Sequence, residues 1–243
     1  MNKVTIENNE NKIVNAWKRD TKKLWIFSVL WLFFISFIAF IANLGSIGLM
    51  DKTEPMFVEA ARQMVITGDW VTPYWNGETR FDKPPLTYWL VGLSFRVFGM
   101  NEWGARIPSA LAAIAVVILG FYTLKYFGFS GQKETNYSPT NLWLPAWIGA
   151  GIIALNPFWI GWGRTGVSDM FLSSGIALAL LSFFLGYGYS EKSSKVYFGL
   201  SIGKWWYIGY WVFMALGVLA KGPVALVLPG ITVIVFLLYV GRF

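Results

Sequence analysis

The feature that most constrains this chain is where its charges are missing. Charge-free stretches cover residues 24–50, 107–124, 135–163, 170–190, 205–220 and 222–241. A helix needs about 20 predominantly apolar residues to cross a hydrocarbon core of about 30 Å. All six runs suit that length, the fifth with its flanking residues. Only 14% of the 243 residues are charged, against about 25% in a typical soluble domain. The pattern predicts an all-α, polytopic transmembrane helical protein with about six spans. The net charge of +7 follows the membrane and does not mark a nucleic-acid partner.

The loops assign the sides. Residues 1–23 form a polar tail with six Lys or Arg against three acids, without the apolar core of a signal peptide. The positive-inside rule puts this tail in the cytoplasm. The short loops after the second and fourth spans carry two bases to one acid and three to one. The long first loop, 50–104, falls outside, and seven of the chain's 13 acidic residues lie between Asp51 and Glu102. The expected organisation is a cytoplasmic tail, 1–23, and one transmembrane domain, 24–243, in a bacterial plasma membrane.

The outer loop has its own periodicity. Phe57, Ala60, Ala61, Met64 and Val65 recur at helical spacing, opposite Glu59, Arg62 and Gln63. This predicts a juxtamembrane amphipathic helix over 54–67, stopped at Gly68. Residues 69–83 read as turns, with Asn76-Gly77 as the strongest signal. Pro84–Phe95 is apolar but too short to span, so it reads as a second interfacial helix that the prolines start. Asn101 can cap the next span.

With no His and no Cys in the chain, acid–base chemistry falls to Asp, Glu, Lys or Tyr, and thiolate metal sites are excluded. The outer face gathers Asp51, the Asp82-Lys83 pair, Asp169 and Lys221. Each has a structural reading. Asp51 and Glu54 make a capping box. Asp82 and Ser168-Asp169 can cap helices, Lys221 suits a helix C-terminus, and Arg164 can pair with Asp169. The chemical reading is that a lysine at headgroup depth meets a lipid phosphate, while a partly desolvated carboxylate acts as a base.

The order Asp51, EAARQM, GDW at 68–70, FDKPPLTYWL at 81–90, ARIPSALAA at 105–113, RTGVSDMFL at 164–172 and LAKGPVALVLP at 219–229 resembles the superfamily of protein O-mannosyltransferases and aminoarabinose transferases. The likeness runs from about residue 40 onward. It implies an enzyme with a large outer first loop that moves a sugar, with inversion, from a polyprenyl-phosphate donor to a hydroxyl on a protein, lipid or glycan. It implies that Asp51 is the catalytic base and that Asp169 is the second catalytic acid. Lys83 and Arg80 would meet the lipid phosphate, and Glu54 and Lys221 would also face substrate. Asp82 stands where relatives usually have Glu, a position tied to a divalent metal in some of them. That metal is the one cofactor left open, and without a His zinc is not expected. Lys52 and Glu54-Pro55 depart from the Glu and Arg-Tyr common in relatives. Members run through further spans, so a C-terminal half is an expected partner. The rival readings are a non-catalytic or split half of such an enzyme, and a small-solute transporter, which the charge-free span interiors disfavour.

Overall fold

A computed structural model describes residues 21–50, 52–127, 142–192, 196–197 and 200–241. Helix α1, Thr21–Ser36, continues into a π turn at Phe37–Ile41. Helix α2, Thr53–Thr67, ends on Gly68 in the left-handed region at φ 75°. A hairpin follows, β1 (Tyr74–Trp75) against β2 (Glu78–Thr79). Its turn is Asn76-Gly77, with φ values of 52° and 81°, the pair of positive angles a type I′ turn requires. Helix α3, Leu86–Phe98, starts after the double proline. Helix α4, Glu102–Phe127, is capped by Asn101, whose side-chain oxygen accepts from Gly104 N–H at 2.9 Å. The amphipathic helix, the turn, the interfacial helix and the cap thus all form where periodicity and turn chemistry place them.

The third apolar run is not one straight span. It folds as α5, Trp143–Ala154, and α6, Pro157–Gly163, bent by 61°. Pro157 has no N–H to continue the ladder, and Asn156 adopts an extended backbone and caps the new helix through Trp159 N–H. Helices α7 (Ser168–Lys192), α8 (Ile202–Lys221) and α9 (Val224–Val240) follow. A two-residue hairpin, β3 (Val196–Tyr197) with β4 (Leu200–Ser201), joins α7 to α8.

Among the described residues, three helical segments can cross a membrane by length and apolarity: 21–41, 102–127 and 168–189. The bent α5–α6 pair makes a fourth if it counts as one span. Helices α8 and α9 occupy the stretches read as the fifth and sixth spans. The outward surfaces are apolar, with Phe33, Phe158 and Trp211 all exposed, as lipid contact requires of so large an apolar area. The protein is an integral membrane protein. The N-terminal tail and the loop after α4 lie outside the described residues.

Two packing devices hold the helices together. The α1–α4–α5 core centres on Phe40, Val117, Phe121 and Trp143. Helices α7 and α8 meet through glycines: a Cβ on Gly175 would lie 3.1 Å from both Gly217 Cα and Phe213 O. Lipid offers no hydrophobic drive to pair helices, so close backbone approach supplies the dispersion contact instead. A valine at Gly175 must push backbone rather than a flexible side chain. Gly175→Val is expected to destabilise the detergent-solubilised protein by about 1–3 kcal/mol, read as a lowered thermal unfolding midpoint.

Candidate active site

The outer segment is held by one buried ion pair. Arg106, on the first turn and a half of α4, grips Glu54 of α2 with both prongs. Its Nε donates to Oε1 at 2.8 Å and its Nη2 to Oε2 at 2.9 Å. The remaining guanidinium hydrogens go to the carbonyls of Leu44, Ile47 and Gly48, each at 2.8–2.9 Å. The backbone N–H groups of Met50 and Gly166 donate to Glu54, at 2.6 and 2.8 Å. Glu54 is 1% exposed. Burial pushes its pKa up, but the Arg106 and backbone hydrogen bonds outweigh burial and hold it below the usual carboxylate range. The expectation that Glu54 faces substrate is therefore corrected, because every approach to its carboxylate is taken. Lys52, not Asp51, is the residue preceding the first turn of α2. Asp51 itself lies outside the described residues.

The second cluster sits at the start of α3. Arg80 Nη2 donates to Asp82 Oδ2 at 3.1 Å, and Lys83 Nζ to Asp82 Oδ1 at 3.2 Å. The Arg80 backbone N–H closes the hairpin onto Pro73 O at 2.7 Å, and its guanidinium lies 5.4 Å from the centre of the Phe57 ring. The hydrogen bond from Lys83 and the charges of Lys83 and Arg80 lower the Asp82 pKa. Pro85 takes the position before α3, and no side chain caps that helix. Asp82 is thus a counter-ion and not the cap its position suggests. Both of its oxygens are taken by cations, and among the described residues no group of three carboxylate, His or Cys ligands gathers.

The third cluster joins α7 to α8, where Lys221 Nζ donates to Asp169 Oδ1. Both side chains are about a third exposed. Arg164, one candidate partner of Asp169, instead donates to the carbonyls of Ala39 and Ala42 at 3.2 and 2.8 Å. The π turn leaves those carbonyls without ordinary helical partners. The clusters share a wall. Phe57, Tyr88 and Val167 pack together. Arg80 lies on Phe57, and Val167 precedes Ser168 and Asp169. The fold therefore brings the Arg80–Asp82–Lys83 and Asp169–Lys221 groups to one end of the helices.

The chain resembles known proteins over most of its own length. The family model described as dolichyl-phosphate-mannose-protein mannosyltransferase matches residues 82–133. An uncharacterized protein of Aquifex aeolicus is 30% identical over 81% of this chain and 34% of its own length. The undecaprenyl phosphate-alpha-4-amino-4-deoxy-L-arabinose arabinosyl transferase of Shewanella sediminis is 27% identical over 90% of this chain and 36% of that protein. The crystal structure of ArnT from Cupriavidus metallidurans in the apo state superposes with a TM-score of 0.71 at 22% identity, covering 88% of this chain and 36% of that one. The same protein bound to undecaprenyl phosphate gives 0.67 at 22% identity, over 87% and 35%. The chain is similar, over part of their length, to proteins of the ArnT/PMT-like superfamily and shares the ArnT fold. It spans about a third of the length of the relatives it matches. Within the superfamily match, the mannosyltransferase model begins at the Asp82-Lys83 pair and runs through α3 and α4.

Sequence reasoning missed Arg106 as the organising cation and Tyr88 as a buried polar neighbour of Arg80. A signal for the first was present, since Arg106 is the last charge before an 18-residue charge-free run and such residues need a partner. Removing one member of a buried pair leaves the other uncompensated. Glu54→Ala is expected to cost about 3–5 kcal/mol, measured by thermal unfolding in detergent. The acid dependence has a fixed sign. Glu54's folded pKa is depressed, so the pair's contribution is complete above the unfolded value of about 4.3 and is lost only as pH falls through the lower folded value.

Proposed function

We propose that this chain belongs to a glycosyltransferase that, at the outer face of the membrane, takes a sugar from a polyprenyl-phosphate donor and gives it to a hydroxyl acceptor on a protein, lipid or glycan. One observation carries the reading: within an ArnT-like fold, Arg80 and Lys83 stand at the start of an interfacial helix, on the same wall as Asp169. ArnT from Cupriavidus metallidurans has been crystallised with undecaprenyl phosphate, and a lipid phosphate of that kind suits this pair. A Lys point charge and an Arg fork bind phosphate oxygens by charge-assisted hydrogen bonds.

In this reading Asp51 removes the proton of the acceptor hydroxyl. The hydroxyl oxygen attacks the anomeric carbon from the face opposite the phosphate. The bond from that carbon to the phosphate oxygen breaks, and configuration inverts. The polyprenyl phosphate leaves with the bonding electrons, and Lys83 and Arg80 balance the charge that develops on it. Asp169 orients the acceptor or the sugar, and Lys221 holds its carboxylate in place. The site faces outward from a bacterial plasma membrane, with the N-terminal tail in the cytoplasm.

A transfer assay on membranes tests this, using several polyprenyl-phosphate sugars, with and without a segment corresponding to the relatives' remaining length. Asp51→Asn is expected to lower transfer by about 10²–10⁴-fold, the range of general-base catalysis, while the protein stays folded. Lys83→Ala is expected to raise the donor KM more than it lowers kcat. Near-normal turnover by Asp51→Asn would sink the base assignment.

A further inference from the structure

The Arg80–Asp82–Lys83 cluster holds more donors than its carboxylate uses. Asp82 spans the two cations with one oxygen each, at 3.1 and 3.2 Å, as two oxygens of a phosphate would. Among the described residues, Arg80 Nε is buried without a hydrogen-bond partner within 3.5 Å, and so is Tyr88 Oη on a side chain with no exposed surface. Burying an unmatched donor is costly and in native proteins calls for an explanation. Tyr88 is no stranger to the cluster. Burial raises its pKa, while the charge of Arg80 and a loose hydrogen-bonding approach to the Arg80 guanidinium pull the other way, and the charge of Asp82 adds to the rise.

The members differ in how firmly they are held. Arg80 is fixed by its backbone bond to Pro73, by the Phe57 ring beneath it and by burial, with a side chain only 14% exposed. Tyr88 is locked between Phe57 and Val167. Asp82 is 53% exposed, and an exposed ion pair contributes little free energy, so its carboxylate can leave at small cost. A fixed set of donors around a loosely held two-oxygen anion is arranged for exchange.

Resting on the donor reading above, we propose that Arg80, Lys83 and Tyr88 Oη form a single oxyanion site, and that Asp82 occupies it as an internal competitor displaced by the phosphate of the incoming lipid. The phosphate places two oxygens where the carboxylate had them and offers a third to the unused donors. Asp82 then swings to solvent. Its presence keeps two cations matched in the empty enzyme and sets a threshold that favours phosphate esters over weaker anions.

The full chain in lipid nanodiscs, with EDTA present, is titrated with tritiated undecaprenyl phosphate, with undecaprenol as the phosphate-free control. Inorganic phosphate serves as the soluble competitor. Asp82→Asn is expected to bind undecaprenyl phosphate about three- to tenfold more tightly and to be displaced by proportionately less inorganic phosphate. Its affinity for undecaprenol should not change. Tyr88→Phe keeps the ring packing and should bind the phosphate about five- to tenfold more weakly. If wild type prefers the phosphate but Asp82→Asn binds no more tightly, Asp82 is not a competitor and the proposal fails alone. If wild type prefers undecaprenyl phosphate no more than undecaprenol, the donor reading fails and takes the proposal with it. Binding that requires added magnesium and vanishes in Asp82→Asn would make Asp82 a metal ligand and likewise overturn the proposal.

Discussion

The outer architecture depends on one guanidinium. Arg106 is the charge that begins an otherwise apolar span, and a bare cation there would be expelled or would drag water inward. It is retained because its donors are all used. Glu54 takes two of its bonds, and three carbonyls of the 44–48 segment take the rest. Those same bonds set the direction in which the chain leaves α1. They draw α2 down onto α4, and through Gly166 they fix the start of α7. Four separated pieces of sequence are thus tied at one point. A buried pair of this quality is weak evidence for extra stability, since apolar residues could pack as well. Its value lies in register: only one placement of α2 satisfies all the groups.

Given that anchor, the loop between α2 and α3 needs little else to find its position. Phe57 and Tyr88 come from α2 and α3, and their rings pack with centroids 5.4 Å apart. Trp89 Nε1 donates to Trp70 O at 2.7 Å, and the Arg96 guanidinium lies over the Trp70 ring. The segment between the helices is therefore pinned at both ends and in the middle. The type I′ hairpin then fixes where Arg80 emerges. Short range and long range agree here, which is the condition for a loop to hold a site with little slack.

Much of this was legible in the sequence because the signals were local. The period of Phe57, Ala60, Ala61 and Met64 marks α2, and Gly68 ends it with the positive φ that suits glycine. Asn76-Gly77 marks a turn, Pro84-Pro85 a helix start, and Asn101 a cap. The broken third span was also marked, by Asn156-Pro157, but a charge-free run of 29 residues hides the break from any measure of composition alone. The pairing of charges was not legible. Glu54 has the spacing of a capping-box residue, and nothing in its neighbourhood announces an arginine 52 positions away. Arg164 stands close in sequence to Asp169 yet serves the carbonyls of α1, because the π turn creates acceptors that no sequence pattern advertises. Local chemistry reads along the chain, while charge pairing depends on which helices become neighbours.

Solvation divides the charged groups at this end of the molecule into two kinds. Glu54 and Arg106 are enclosed and Arg164 is half-buried, and their partners are carbonyls, backbone N–H groups or each other. Changing partners there would strand a charge away from water, so these groups can only hold structure. Asp82, Lys83, Asp169 and Lys221 are each a third or more exposed, or close to it, and each ion pair among them can open into water at small cost. Exchange of partners is what a group that meets an arriving phosphate or hydroxyl must be able to do. The carboxylates suited to chemistry are therefore the loosely paired ones. The tightly paired Glu54 is what keeps them facing one another.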